Sequence, residues 1–266
     1  MHFEDHEAAR ADADADADKA AAIAAPAGCA SAGPWLSIVM PVLDEAPQLA
    51  QRLAALQVLR RRGVELVVAD GGSADGSMRI AEPHADQVIS APRGRARQMN
   101  AGARAAAGRV LLFLHADTQL PADAVAAIAA AIPDKTVLGI GWGRFDVEID
   151  SPRRLLRCVA GLMNLRSRLT GIATGDQAIF ASRALFNAVG GFADIALMED
   201  IDFSRRAKRL QPPVCLRLAV RTSARRWEQG GAWRTIALMW HLRLAYFFGA
   251  DPKRLARRYG YAAADD

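Results

Sequence analysis

The order of apolar runs predicts an α/β fold: a mostly parallel sheet flanked by helices, followed by a C-terminal helix that is both apolar and basic. Three observations predict it. Short aliphatic runs alternate with segments of helical periodicity from residue 36 to residue 131. Polar sequence follows each of the first four runs, the place where open parallel sheets bind ligands. The 266 residues are 52% hydrophobic, enough for one large core.

The elements follow in order. Leu36 to Val42 is an apolar strand, and Pro47 to Arg60 repeats apolar residues at helical spacing. Val64 to Ala69 is a second strand ending at Asp70-Gly71-Gly72, and Ala74 to Glu82 forms a short helix. Gln87 to Ser90 is a third strand, and Ala96 to Ala107 an Ala-rich helix closed by Gly108. Val110 to Leu114 is a fourth strand, with a helix from Pro121 to Ala131 after it. Such alternation favours right-handed parallel crossovers. The second half is less regular. Val137 to Ile149 reads as extended, Pro152 to Leu169 as a basic amphipathic helix, and Gln177 to Ala181 as a strand. Ile201 to Leu210 reads as a helix, Val214 to Leu218 as the last strand, and Thr235 to Phe248 as a strongly apolar helix.

Residues 1–34 hold seven acidic and two basic side chains and the repeat ADADADAD, with little to bury, so they are expected to be a disordered tail. Their acidity and short apolar stretch do not suit a signal peptide. The tail masks a basic remainder. Residues 203–258 carry fourteen Lys and Arg against two Asp and Glu, a surface suited to phosphates or anionic lipid, or simply to solvent. No nucleic-acid module is recognisable, so nucleic acid is not an expected partner. Three scattered cysteines share no metal-ligand spacing and suit a reducing, cytoplasmic setting.

The four strand ends carry the chemistry. They read Pro41-Val42-Leu43-Asp44-Glu45, Asp70-Gly71-Gly72-Ser73-Ala74-Asp75-Gly76, Gly94-Arg95-Ala96-Arg97-Gln98-Met99-Asn100 and His115-Ala116-Asp117. Each alone has a structural explanation, as a turn or a helix start. Four on one edge of one sheet describe a nucleotide-sized site. His115 and Asp117 stand two apart on an extended chain and face one way. A carboxylate there, beside a phosphate-bearing ligand, is a seat for Mg²⁺ or Mn²⁺; the alternative is a cap on the helix beginning near Pro121. Neither a P-loop nor a GxGxxG follows the first strand. Downstream, Met198-Glu199-Asp200-Ile201-Asp202 places three acids before a helix, either to cap it or to act as a base.

In the order PVLDE, VVADGGSADGS, GRARQMNAGA, LLFLHADT, TGDQAIF, VGGF and MEDIDFSRR, these blocks resemble glycosyltransferase family 2, the inverting GT-A type. The continuation TSARRWEQGG before an apolar helix resembles a small bacterial subgroup linked to radical-SAM partner proteins and arsenosugar biosynthesis. The resemblance implies a GT-A domain over residues 35–230, with a nucleotide-sugar half (35–132), an acceptor half (133–230) and a helical extension (231–266). It implies a nucleotide-sugar donor, UDP-linked by preference, and a small-molecule or lipid acceptor. Pro41 and Glu45 would shape the nucleotide pocket, Asp70 would meet the base, Arg95 the diphosphate, and Asn100 would fix the loop around the donor. Asp117 would hold the divalent cation. The family usually carries Asp-x-Asp there; His115 takes the first position, which leaves the ribose contact and metal preference open. Asp200 would be the catalytic base with Glu199 beside it, and Gly175, Asp176 and Gln177 would face the acceptor. Arg225 and Arg226 would add positive charge from a loop, or belong to a surface patch. Trp142 and Trp227 would stack on sugar or pack in the core.

The leaving nucleoside diphosphate gathers negative charge. One Arg at 4 Å offsets about 4 kcal/mol at an effective dielectric near 20, whereas a divalent ion supplies several. Two other readings compete: a nucleotidyltransferase of the same fold, which would want a basic Gly-rich loop where PVLDE is acidic, and a degenerate, non-catalytic nucleotide binder. The last apolar run, about sixteen residues long and containing His241 and Arg243, is too short to span a bilayer. It would instead pack in a core or dimer, or lie on a membrane surface through residues 231–258, at the inner face.

Overall fold

A computed structural model describes residues 33–132 and 139–261. The expected tail lies outside the described residues except for its last two positions, as do the first two positions of the run from Val137.

Eight strands form one sheet: β1 (Leu36–Val42), β2 (Glu65–Asp70), β3 (Gln87–Ser90), β4 (Val110–Phe113), β5 (Thr118–Gln119), β6 (Trp142–Asp150), β7 (Phe180–Ser182) and β8 (Val214–Ser223). Their order across the sheet is β3-β2-β1-β4-β7-β6-β8-β5. The first four are mutually parallel, as the alternating pattern requires. All four polar strand ends therefore share one edge. The second half departs from the expected parallel sheet. β7 runs antiparallel to both β4 and β6, and β5 antiparallel to β8, so the sheet is mixed. The chain between β6 and β7 passes through a 17-residue helix, Arg154–Thr170, and returns alongside β6 in the opposite direction.

Ten helices complete the described residues: α1 (Ala46–Arg60), α2 (Ser77–Ala81), α3 (Arg95–Ala105), α4 (Ala124–Ala131), α5 (Arg154–Thr170), α6 (Arg183–Ala188), α7 (Glu199–Leu210), α8 (Arg225–Gly230), α9 (Ala232–Phe247) and α10 (Pro252–Tyr259). The sequence pattern missed β5, α6, α8 and α10, all too short or too polar to show a period. It also started β7 too early. Gly175–Gln177 is a single 3₁₀ turn, because the Gln177 side chain reaches back to accept from the Thr174 N–H (3.2 Å).

Two hydrophobic layers sandwich the sheet. Alternation along β1 sends Ile38 and Met40 toward α1, and Val39 to the opposite layer with α3. That second layer holds an aromatic stack. Phe192 sits between Phe113 at the end of β4 and Phe203 on α7, both with ring centroids 4.8 Å away. Such packed aromatic pairs fix relative positions as well as burying area. They tie the strand leading to Asp117 to the helix that begins at Glu199.

Candidate functional site

The edge shared by the four polar strand ends is built by two loops that hold each other. After β2, Asp70 is buried and turns the chain on itself. Its Oδ1 accepts the Gly72 and Ser73 N–H groups (both 2.8 Å), and its Oδ2 accepts the Ser73 hydroxyl (2.6 Å). The turn needs Gly72 at φ 89°, a left-handed conformation. Across it, Asp44 accepts the Ala74 N–H (2.9 Å), Ser73 Oγ accepts the Asp44 N–H (2.9 Å), and Ser77 Oγ accepts the Glu45 N–H (3.0 Å). The Ser77 hydroxyl and the Ala46 N–H hold the Asp75 carboxyl below its ordinary range. Beneath the loops lies Gln98, 3% exposed. Its amide donates to the carbonyls of Val42 (2.6 Å) and Ala69 (3.0 Å), clamping the ends of β1 and β2 together. Gly71 lacks a Cβ because one would lie 2.9 Å from that amide.

Pro41 is paired with Ala69 inside the sheet. Glu45 faces outward, accepts from Gln48 (3.0 Å), and meets Arg225 of α8 at 3.3 Å. The structure thus brings Arg225, 180 residues away in sequence, to the donor edge. Arg226 follows on the same helix, but its side chain lies outside the described residues. Asn100 is engaged in structure. Its amide donates to the Phe192 carbonyl (2.8 Å) and its carbonyl accepts the Phe192 N–H (3.0 Å), docking α3 on the Gly190-Gly191-Phe192 turn.

Asp117 is half-buried after β4 and accepts from the Thr118 hydroxyl (3.2 Å). His115 does not share its direction outward. The imidazole is 8% exposed, with Nδ1 3.4 Å from Asp176 Oδ1. Its Nε2 is buried without a hydrogen-bond partner, packed on Gly175, where a Cβ would stand 2.6 Å from it. With the proton on Nδ1, the orphaned nitrogen is a bare lone pair, the least costly arrangement.

Gly175 continues the wall. Its N–H donates to Asp200 Oδ2 (2.9 Å), and Asp200 Oδ1 accepts the Ile201 N–H (2.7 Å). Gln177 is buried. Glu199 is 4% exposed, and Arg95, the first residue of α3, reaches to 4.0 Å from it. Burial works against the Arg95 charge, but Tyr261, Glu199, Tyr259 and Asp176 around it outweigh that and raise its pKa. Trp142 is a core residue, its Nε1 donating to the Gln211 carbonyl (2.7 Å), and Trp227 packs against Ile149, Leu156, Ala160 and Ala224.

Burial, then the neighbouring Asp200, push the Glu199 carboxyl up from 4.5 to about 7, against the pull of Arg95. A carboxyl group held protonated by the fold adds stability that is complete below its unfolded pKa and is lost as pH rises through its folded one. Stability is therefore expected to fall between pH 4.5 and about 7, by on the order of 3 kcal/mol from this group. Urea titrations at pH 5 and pH 8 check it. Glu199→Gln should remove most of the difference, and an unchanged difference in the variant would assign it elsewhere.

Sequence reasoning missed two features. The three non-glycine residues with positive φ among the described residues are Asp44 (53°), Ala178 (46°) and Met198 (72°). One lies in the first donor loop, one just after Gln177, and one immediately before Glu199. Such strain costs of order 1–3 kcal/mol each and gathers at functional sites. No side-chain pattern announces it. The second feature is Arg166 on α5. Burial, reinforced by Arg243 of α9 and opposed by Asp200, lowers its pKa to about 10. Its Nε and Nη2, and the Nε of Arg243, are buried without a hydrogen-bond partner. These donors on the acceptor side lack an oxygen to meet.

The donor set bears on a divalent cation. Among the described residues, no group of three or more His, Cys, Asp or Glu side chains could hold a metal ion. Asp117 offers a carboxylate, and His115 Nε2 is directed away into Gly175. A hard cation that keeps its waters and takes its remaining ligands from phosphate oxygens needs one or two carboxylates from protein. The residues fit an ion carried in by a diphosphate.

Residues 37–186 match the family Glycosyl transferase family 2. A PGL/p-HBAD biosynthesis glycosyltransferase of Mycobacterium tuberculosis is 32% identical over 184 residues, 66% of this chain and 70% of that protein. An uncharacterized glycosyltransferase of the same species is 29% identical over 199 residues, 70% of this chain and 74% of its own length. Among solved structures, a mannosyltransferase of Pyrobaculum calidifontis in complex with GDP-Man and Mn²⁺ superimposes with a TM-score of 0.56 at 23% identity, covering 87% of this chain and 70% of that one. Staphylococcus aureus TarS 1–349 in complex with UDP gives 0.55 at 17% identity, over 71% and 60%. These two similarities speak for the fold, a GT-A-like α/β architecture with a mixed sheet flanked by helices.

Proposed function

This chain belongs to glycosyl transferase family 2 and is a glycosyltransferase, and we propose that it moves a sugar from a nucleoside-diphosphate donor, UDP-linked by preference, to an acceptor hydroxyl with inversion. The observation that carries this reading is one juxtaposition. The loops around Asp70, the Asp117 carboxylate and Arg95 gather at one sheet edge, and Arg95 reaches from it toward the buried Glu199, beside the half-buried Asp200.

In this reading Pro41, Glu45 and Asp70 shape the nucleotide pocket, and the solved relatives in complex with UDP or GDP-Man support a nucleotide there. Asp117 would hold Mn²⁺ or Mg²⁺, which when bound neutralises charge on the departing diphosphate. Arg95 meets that charge from the helix N-terminus. Arg225, held by Glu45, would add to it, and Arg226 is the next residue in the chain. Asn100 keeps α3 and the Gly191-Phe192 turn in register. His115 and Gly175 form the wall between the two halves, and Asp176 and Gln177 line the acceptor side. Asp200 takes the acceptor proton, oriented by the Gly175 N–H. The TSARRWEQGG continuation supports membership of the subgroup that works beside radical-SAM proteins.

A thermal-shift panel of nucleoside diphosphates and nucleotide sugars, each with Mn²⁺, Mg²⁺ or chelator, tests the reading, followed by product analysis. A ligand at 100 times its Kd is expected to stabilise by about 2.7 kcal/mol. Release of nucleoside diphosphate is expected; release of pyrophosphate would mean nucleotidyl transfer, and no response to any nucleotide would overturn the donor site.

A further inference from the structure

Helix α9 has two apolar faces. The inner one is spoken for: Leu242 is fully buried, and Leu238, Ala245 and Tyr246 pack with Leu197, Met198 and Ile201 around the start of α7. The outer one is not. Trp233, Trp240, Leu244 and Phe247, with Phe248 at the helix end, are between 58% and 79% exposed. At 100° per residue the first four fall within about 60° of arc, one continuous stripe. Scattered exposed apolar residues are ordinary; a helix-long stripe of two Trp, a Leu and two Phe is not.

The next helix supplies the complement. On α10, Leu255 and Ala256 face inward while Lys253, Arg254, Arg257 and Arg258 are exposed. Arg258 also donates to His241 Nε2 (2.7 Å), which ties the basic helix to the outer side of α9. Arg234 lies exposed along the stripe's flank. Trp and Phe beside a cluster of Lys and Arg match the chemistry of a bilayer interface, where aromatic rings enter the headgroup region and cations meet anionic lipid. A second copy of this chain would bring like charges together across the same face. No helix among the described residues is long and apolar enough to cross a membrane, so contact along this face would be peripheral.

We propose that the outer stripe of α9 and the basic face of α10 form a docking surface for an anionic bilayer. The proposal rests on the glycosyltransferase reading for its purpose. The inner face of α9 packs on the segment that carries Glu199 and Asp200, so docking holds the acceptor side one helix away from lipid.

The test uses the full chain and sedimentation with vesicles of phosphatidylcholine alone or mixed with phosphatidylglycerol. Binding at least tenfold stronger to the anionic vesicles is expected, weakening with salt. The double variant Trp240→Ser/Phe247→Ser and the pair Lys253→Glu/Arg254→Glu should each lower it at least tenfold while melting like wild type. Equal or absent binding to both vesicles overturns the proposal. So does a dimer in analytical ultracentrifugation that the Trp240→Ser/Phe247→Ser variant dissociates. The nucleoside-diphosphate thermal shift, read without vesicles, separates the two readings. Its loss in wild type counts against the donor site alone, and vesicle binding that fails while the shift persists counts against docking alone.

Discussion

Asp200→Asn is expected to lower sugar transfer by about 10²–10⁴-fold, the range a positioned general base contributes. The acceptor hydroxyl must lose its proton as it attacks the anomeric carbon. In the proposed reading Asp200 takes it: both oxygens accept one backbone N–H each, from Gly175 and Ile201, and each keeps a second lone pair. Asparagine retains one carbonyl oxygen for the Gly175 N–H, so the wall stands while basicity is lost. The measurement is steady-state release of nucleoside diphosphate with acceptor present, beside the thermal shift with donor alone. Turnover should collapse while the donor shift is retained. Glu199 is the control. Its carboxyl, pushed up to about 7, also has a pKa suited to base catalysis at neutral pH. If Asp200→Asn stays within tenfold of wild type and Glu199→Gln does not, the base is Glu199.

Asp117→Asn is expected to uncouple nucleotide binding from the divalent cation. The cation's protein ligands are few, so wild type should bind Mn²⁺ weakly alone and strongly only with a nucleoside diphosphate. In wild type, saturating nucleotide with Mn²⁺ should raise the Tm by on the order of 5–10 °C over the same nucleotide with chelator. In the variant the two conditions should melt within a degree or two of each other. Turnover should fall by about 10²–10³-fold, as expected when several kcal/mol of charge stabilisation are removed. A variant that kept the full Mn²⁺-dependent shift would place the ion on other side chains.

The donor edge was legible before any coordinates because its signals are local. β1 through β4 announce themselves as apolar runs, and the Gly and Asp residues after them mark the turns. Strand boundaries fell within a residue or so, and the β3 run matched end to end. The antiparallel second half was not legible. Short strands such as Phe180–Ser182 carry too few residues to show direction, and an apolar run looks the same either way. His115 shows a different limit. Its spacing from Asp117 suggested a shared outward face, but β4 ends at Phe113, and the turn closed by the Thr118 N–H on the His115 carbonyl (3.0 Å) lets the two side chains part.

Composition, periodicity and ordered motifs were enough for the α/β class and for the shared edge of four strands with its polar ends. These follow from the sequence because burial of one face writes a period into the chain, and a tight turn demands particular residues. Tertiary structure alone decided the rest: the Arg225–Glu45 contact, the elevated Glu199 pKa, the unpaired Arg166, and the second, outward apolar face of α9. Each depends on which distant elements exclude water from a given side chain, and periodicity records that a face is apolar without recording what, if anything, covers it.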